Sequence, residues 1–175
     1  AAPVKENAKR NPPPVKMRPW SKECKTHVAH MKHGDFFVSE RSISMEKADT
    51  VTIELVGSDG STKVMKKGLK LEKGEVIDAS VMSRKALRTY FKDQIKEATQ
   101  TGMMLSLHLK ATMMKISDPI IFGHAVTVFY EKVFTKYAGV FKQNGINPNN
   151  GLGDVLRKVE NIQNTSLSAA ILSDF

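Results

Sequence analysis

The chain has 175 residues, 41% of them hydrophobic, and a formal charge of +9 from 27 Lys and Arg against 18 Asp and Glu. This composition suits one compact unit with a real core. It excludes a helical membrane span, because no apolar run approaches the ~20 residues needed and Gly102 and Lys110 bracket the longest candidate. The single Cys24 excludes an internal disulfide framework and fits a reducing compartment.

The charge is concentrated at the start. Residues 1–33 hold eight Lys or Arg (Lys5, Lys9, Arg10, Lys16, Arg18, Lys22, Lys25, Lys32) against Glu6 and Glu23, two-thirds of the net charge. Such a surface suits an anionic partner, whether nucleic acid, a nucleotide phosphate or a tricarboxylate, or an acidic region elsewhere in a longer protein. Pro3, Pro12, Pro13, Pro14 and Pro19 predict an extended basic arm over residues 1–20, with at most a turn or two of helix over residues 4–9. This stretch has no apolar core of the kind a signal peptide carries. Residues 21–175 read as a single α/β segment.

From His27 to Lys70 the pattern predicts strands: V-A-H-M, then F-F-V-S-E-R-S-I-S-M, then T-V-T-I-E-L-V. In the last, Val51, Ile53 and Leu55 alternate with Thr52 and Glu54, marking one buried face. Ser58, Asp59, Gly60 and Ser61 form a hairpin turn, because Asp-Gly accepts the positive backbone angles a tight turn demands, and residues 62–66 return antiparallel. Ser83 caps a helix with Ala86, Leu87, Tyr90, Phe91, Ile95 and Ala98 on its apolar side, which Gly102 ends.

Met103, Met104, Leu105, Leu107 and Leu109 predict a short buried strand with Lys110 at its carboxyl end, the place where ligands collect in open α/β sheets. A second long helix starts at Ser117 or Asp118, carries Ile121, Ala125, Val128, Phe129, Val133, Phe134, Tyr137 and Phe141, and stops at Gly145. Helix, strand and helix around residues 103–109 are α/β wiring beside a hairpin region. Two short helices follow, over residues 154–161 and 166–175, and the absence of a stop signal at Phe175 predicts a truncated chain.

The run H-L-K-A-T-M-M-K-I-S-D-P from His108, with W-S-K-E-C-K-T-H-V-A-H-M from Trp20, G-E-V-I-D-A-S-V-M-S from Gly74 and N-N-G-L-G-D from Asn149, resembles the monomeric type of NADP-dependent isocitrate dehydrogenase. The resemblance covers most of the chain and thins after Lys158. That family is several times longer, so the chain would be one internal piece of the enzyme. The resemblance implies an isopropylmalate/isocitrate dehydrogenase-like fold with a mixed sheet, a hairpin region and packed long helices. It implies oxidative decarboxylation of isocitrate to 2-oxoglutarate with NADP and Mg2+ or Mn2+. It further implies a monomeric cytoplasmic enzyme (mitochondrial in a eukaryote) whose partner is the remainder of the same polypeptide, with no nucleic acid or membrane involved.

In that reading Lys110 is the catalytic and substrate-binding residue, because a lysine whose ammonium is destabilised by burial or neighbouring positive charge can join a proton relay near neutral pH. Thr112 supplies a hydroxyl near the substrate carboxylates, or caps its own turn. Lys115 contacts phosphate or carboxylate, or stays solvated. Asp78 resembles the non-catalytic copy of a stretch that occurs twice in the family. The serine, asparagine and arginine substrate cluster would precede Ala1, and the metal aspartates and NADP residues would follow Phe175.

No metal site is expected here. His27, His30 and His33 alternate faces if V-A-H-M is a strand, His124 sits inside a helix, and the methionines at 103, 104, 113 and 114 are adaptable packing. No G-x-G-x-x-G loop is present. The competing reading is a non-enzymatic basic module that binds nucleic acid or a partner protein. The aromatic content of 7% and the absence of an RNA-binding signature weigh against it.

Overall fold

A computed structural model describes residues 2–12, 19–110 and 112–175. The architecture is mixed α/β, with two small antiparallel sheets and several helices. No helix among the described residues is long and apolar enough to cross a membrane.

Helix α1 (Ala2–Arg10) is longer than the turn or two expected of an extended arm. Its proline lies in the first turn, where a missing N–H costs nothing. It stops before Pro12, where the Asn11 N–H donates to the Asn7 carbonyl at 2.9 Å. All its residues are exposed. The rest of the proline-rich run, residues 13–18, lies outside the described residues.

The first two expected strands are corrected. V-A-H-M forms no strand, and Phe36 to Ser39 is a single helical turn, α2 (Phe36–Ser39), whose cap Asp35 accepts from the Val38 N–H. A short side-chain cap can divert an apolar stretch into a helical turn despite its β propensity. The strand proper is β1 (Arg41–Ser44), which pairs antiparallel with β4 (Val76–Ala79), a strand the sequence reading missed, so that Ser42 faces Asp78.

The hairpin matches expectation in place and turn, and its return strand is longer: β2 (Asp49–Val56) pairs with β3 (Thr62–Leu71). Gly60 has φ 80°, and Asp59 Oδ1 accepts from the Ser61 N–H at 3.0 Å and from its hydroxyl at 2.6 Å. The expected buried face is corrected, because Ile53 and Leu55 are 50% and 58% exposed. Alternation marks a face able to be buried, but a two-stranded sheet buries it only beneath another layer. Register shifts around Ile53 also interrupt the alternation.

Helix α3 (Arg84–Thr101) starts and stops as expected: Ser83 accepts from the Ala86 N–H, and Gly102 closes the end at φ 66°. The single helix expected over residues 117–145 is instead three segments, α4 (Ser117–Phe129), α5 (Glu131–Lys136) and α6 (Ala138–Gln143). The junctions are Tyr130 and Tyr137, and the hydrogen-bond ladder continues through both at 3.0 Å. Each tyrosine reaches the end of the last helix, α8 (Thr165–Asp174): the Tyr130 ring meets Phe175 edge-on, and the Tyr137 hydroxyl donates to Asp174 at 2.7 Å. These tertiary contacts accompany the local bends that 3.6-residue periodicity could not foresee. A 3-10 turn (Pro148–Asn150) leads into α7 (Leu152–Glu160).

There are two cores among the described residues. The larger joins Val133, Tyr137, Phe141 and Ile146 to Val155, Val159, Ile162 and Ile171. The smaller joins Leu87 and Phe91 of α3 to Val128 of α4, with Leu107 packed against them. Arg88 donates to the Thr127 hydroxyl at 2.7 Å, and Lys92 pairs with Glu131 at 2.8 Å, tying α3 to the α4–α5 arm.

Candidate active-site segment

The connection between α3 and α4 carries the residues singled out from sequence. Gly102 turns the chain out of α3, and the Met103 N–H donates back to the Ala98 carbonyl at 3.0 Å. Residues 103–109 then run without a sheet partner, which corrects the expected strand and the helix–strand–helix wiring built on it. The apolar pattern is a strand's, yet a ladder needs a neighbouring strand, and the described residues bring none alongside.

Side chains alternate only in part along the segment, since Leu105 is exposed like its neighbours Met104 and Ser106. Met103, Leu107 and Leu109 are half-buried, and Leu107 inserts into the core between α3 and α4. Met104, Ser106, His108 and Lys110 are exposed, and His108 Nε2 lies 2.8 Å from Ser106 Oγ, which places those two side chains together. The Lys110 ammonium is thus held out from the surface by an anchored apolar stretch. Thr112 and Lys115 follow in the exposed turn leading to α4, whose first turn is joined by the Asp118 N–H to Met114 carbonyl bond at 3.0 Å. Lys110, Thr112 and Lys115 are exposed in the stretch that precedes the amino terminus of α4.

Beside this segment lies a groove of about 900 Å³, walled by Tyr90, Phe91, Ile95, Leu105, Phe122 and Phe129 among others. The sequence reading missed it, because its walls come from residues 26–29, α3, residues 103–107 and α4 and converge only in the fold. Phe129, expected to face inward, is 63% exposed at its edge. At the same groove His27 Nε2 lies 3.7 Å from a Glu97 carboxylate oxygen, an ion pair when the imidazole is protonated.

Among the described residues no three His, Cys, Asp or Glu side chains gather to hold a metal ion. Asp78 has Glu40 as its acidic neighbour; the hydrogen bond that the protonated Glu40 carboxyl donates to Asp78, reinforced by the Asp78 charge, holds the Glu40 carboxyl above the usual range. Two carboxyls that share a proton are a poor cation site without further donors. In the helix, His124 is held below the usual imidazole value by partial burial and by the nearby Arg88 and Arg84 guanidinium groups.

Mixed α/β architecture with a basic, hydroxyl-bearing turn after an apolar extended stretch defines the class at the level of fold, an α/β segment. The family model described as monomeric isocitrate dehydrogenase matches residues 1–175. Over 158 residues the chain is 51% identical to isocitrate dehydrogenase (NADP) 2 of Colwellia maris, covering 90% of this chain and 21% of that protein. It is 46% identical to isocitrate dehydrogenase (NADP) 2 of Mycobacterium tuberculosis and 46% identical to isocitrate dehydrogenase (NADP) of Azotobacter vinelandii, in each case over 91% of this chain and 21% of the relative. The chain therefore belongs to the monomeric isocitrate dehydrogenase family, and it spans about a fifth of the length of these relatives.

Proposed function

We propose that this chain is one section of an enzyme that oxidatively decarboxylates isocitrate to 2-oxoglutarate with NADP, and that its contribution is Lys110. The observation that carries the reading is the run His108 to Lys115, lying in a chain whose whole length matches the family. Lys110 contacts a substrate carboxylate or hydroxyl and moves the hydroxyl proton. Thr112 supports it by hydrogen bonding to a carboxylate. NADP and Mg2+ or Mn2+ belong to other parts of the polypeptide; when bound, the metal polarises the substrate hydroxyl. Residues 21–175 form a single segment of an isopropylmalate/isocitrate dehydrogenase-like fold, residues 1–20 its basic arm, and the whole works as a cytoplasmic monomer. These 175 residues alone do not turn over substrate.

Replacing Lys110 by Met in the polypeptide of full family length tests this. NADP reduction with isocitrate is expected to fall by roughly 10²–10⁴-fold, the usual contribution of a positioned acid–base group. Circular dichroism and the melting temperature should stay unchanged, since Lys110 is exposed. Near-normal turnover would remove Lys110 from the mechanism.

A further inference from the structure

We propose that the first half of α3 binds a phosphate group in a shallow basic depression of about 300 Å³ lined by Arg84, Lys85, Arg88, Thr89 and Lys92. None of these residues belongs to the stretch around Lys110, so the two readings stand or fall separately. Side chains three and four residues apart are neighbours on a helix, which puts all five on one face. Four of them are cationic, and no carboxylate lines the depression. A single acid reaches its edge from α5: Glu131 lies 2.8 Å from Lys92 and 3.9 Å from Arg88. Arg84 and Lys85 make no ion pair among the described residues.

Both of those cations stand where the helix disfavours them. They follow the cap Ser83 in a first turn that holds no acidic residue, so two positive charges meet the positive end of the helix dipole. Arg84, Arg88 and Lys92 also recur at a spacing of four, where like charges repel. The field extends to α4: partial burial and then Arg88 and Arg84 weaken proton binding by His124, so Glu131 does not cancel it. Local rules broken in this way mark functional positions, and an anion relieves all three costs. Charge selects the anion. Arg84 and Lys85 leave two positive charges uncompensated, which one phosphate dianion matches and one carboxylate would only halve. A guanidinium fork and a lysine point charge both suit phosphate oxygens, and the Thr89 hydroxyl in the same wall can donate to another.

Titration of the full-length polypeptide with inorganic phosphate, followed by calorimetry at constant ionic strength, tests the site, with acetate as the monoanion control. Saturable binding that acetate does not reproduce is expected. Arg84→Ala and Lys85→Ala should each weaken it roughly ten-fold, as the loss of one charge-assisted hydrogen bond does. Lys142→Ala, which removes an exposed lysine of α6, should leave it unchanged. Tighter binding of glycerol phosphate than of inorganic phosphate would identify an ester as the source, and equal or weaker binding the free ion. Binding that is absent, that acetate matches, or that survives the double substitution of Arg84 and Lys85 by alanine would overturn the proposal. Without phosphate the double variant should melt no lower than the parent, because it loses only repulsion. A lower melting temperature would show the cations already paired with an acidic segment of the same polypeptide, and would equally overturn it.

Discussion

Replacing Gly123 by alanine sets two opposing effects against each other, and the structure decides between them. On helix propensity alone the change inside α4 should stabilise by about 1 kcal/mol. A Cβ at this position, however, would stand 2.0 Å from Asn149 Oδ1 and 3.0 Å from the Asn149 backbone nitrogen. The side-chain oxygen can swing away, but the backbone nitrogen belongs to the Pro148–Asn150 turn packed against α4 and moves only with it. Overpacking of this kind costs about 1–3 kcal/mol, so the propensity gain is cancelled and the net change is a loss of up to about 2 kcal/mol. Gly139 in α6 is the internal control, because a Cβ there meets nothing within 4 Å. Gly139→Ala should stabilise by about 0.5–1 kcal/mol. In thermal unfolding of a domain of this size, Gly123→Ala should melt up to about 8 °C lower and Gly139→Ala about 1–4 °C higher. If both substitutions stabilise alike, the close approach of α4 to the Asn149 turn is not a feature of the folded protein.

Ile171 is fully buried in the larger core, and Ile171→Ala should cost about 2–5 kcal/mol in urea unfolding; a loss under about 1 kcal/mol would mean α8 does not pack as described. Asp174 accepts from Lys136 and Tyr137, which hold its carboxyl below the usual 3.8, so its stabilisation is present above that pH and is lost as pH falls through the lower folded value. Asp174→Asn should therefore lower the melting temperature at neutral pH, with the gap to the parent protein closing in strong acid; an equal gap at about pH 2 would show the contact is not ionic. Its partner Lys136 is pushed up to about 12 from 10.5, so the same pair persists through mild alkali and fails only as pH rises through that value. His124, held below its ordinary 6.5 by burial and two guanidinium groups, binds its proton more weakly folded than unfolded, so stability should fall as pH drops below 6.5. His124→Gln should reduce that fall, and an NMR titration placing His124 at or above 6.5 would refute it.

Much of the local structure was legible because its causes are local. Ser83 and Gly102 bracket α3 through a side-chain cap and a left-handed glycine, and Asp59-Gly60 turns the hairpin whatever lies around it. The resemblance carried by the run around Lys110 was likewise a matter of residues in order, and the family match agrees with it. What depended on neighbours was not legible. The helix expected from residue 117 onward bends at Tyr130 and Tyr137, which reach Phe175 and Asp174 roughly 40 residues away. The groove takes its walls from four separate stretches. An alternating or apolar run records what a segment is able to bury, while burial itself needs a second surface. For Leu107 that surface is α3 and α4; for Ile53, Leu55 and Met104 none of the described residues stands over them, and they are exposed. Sequence alone determined where the chain turns, caps and carries its lysines, because those are interactions between near neighbours. The tertiary structure decided which apolar faces are covered, because covering joins residues that the sequence keeps far apart.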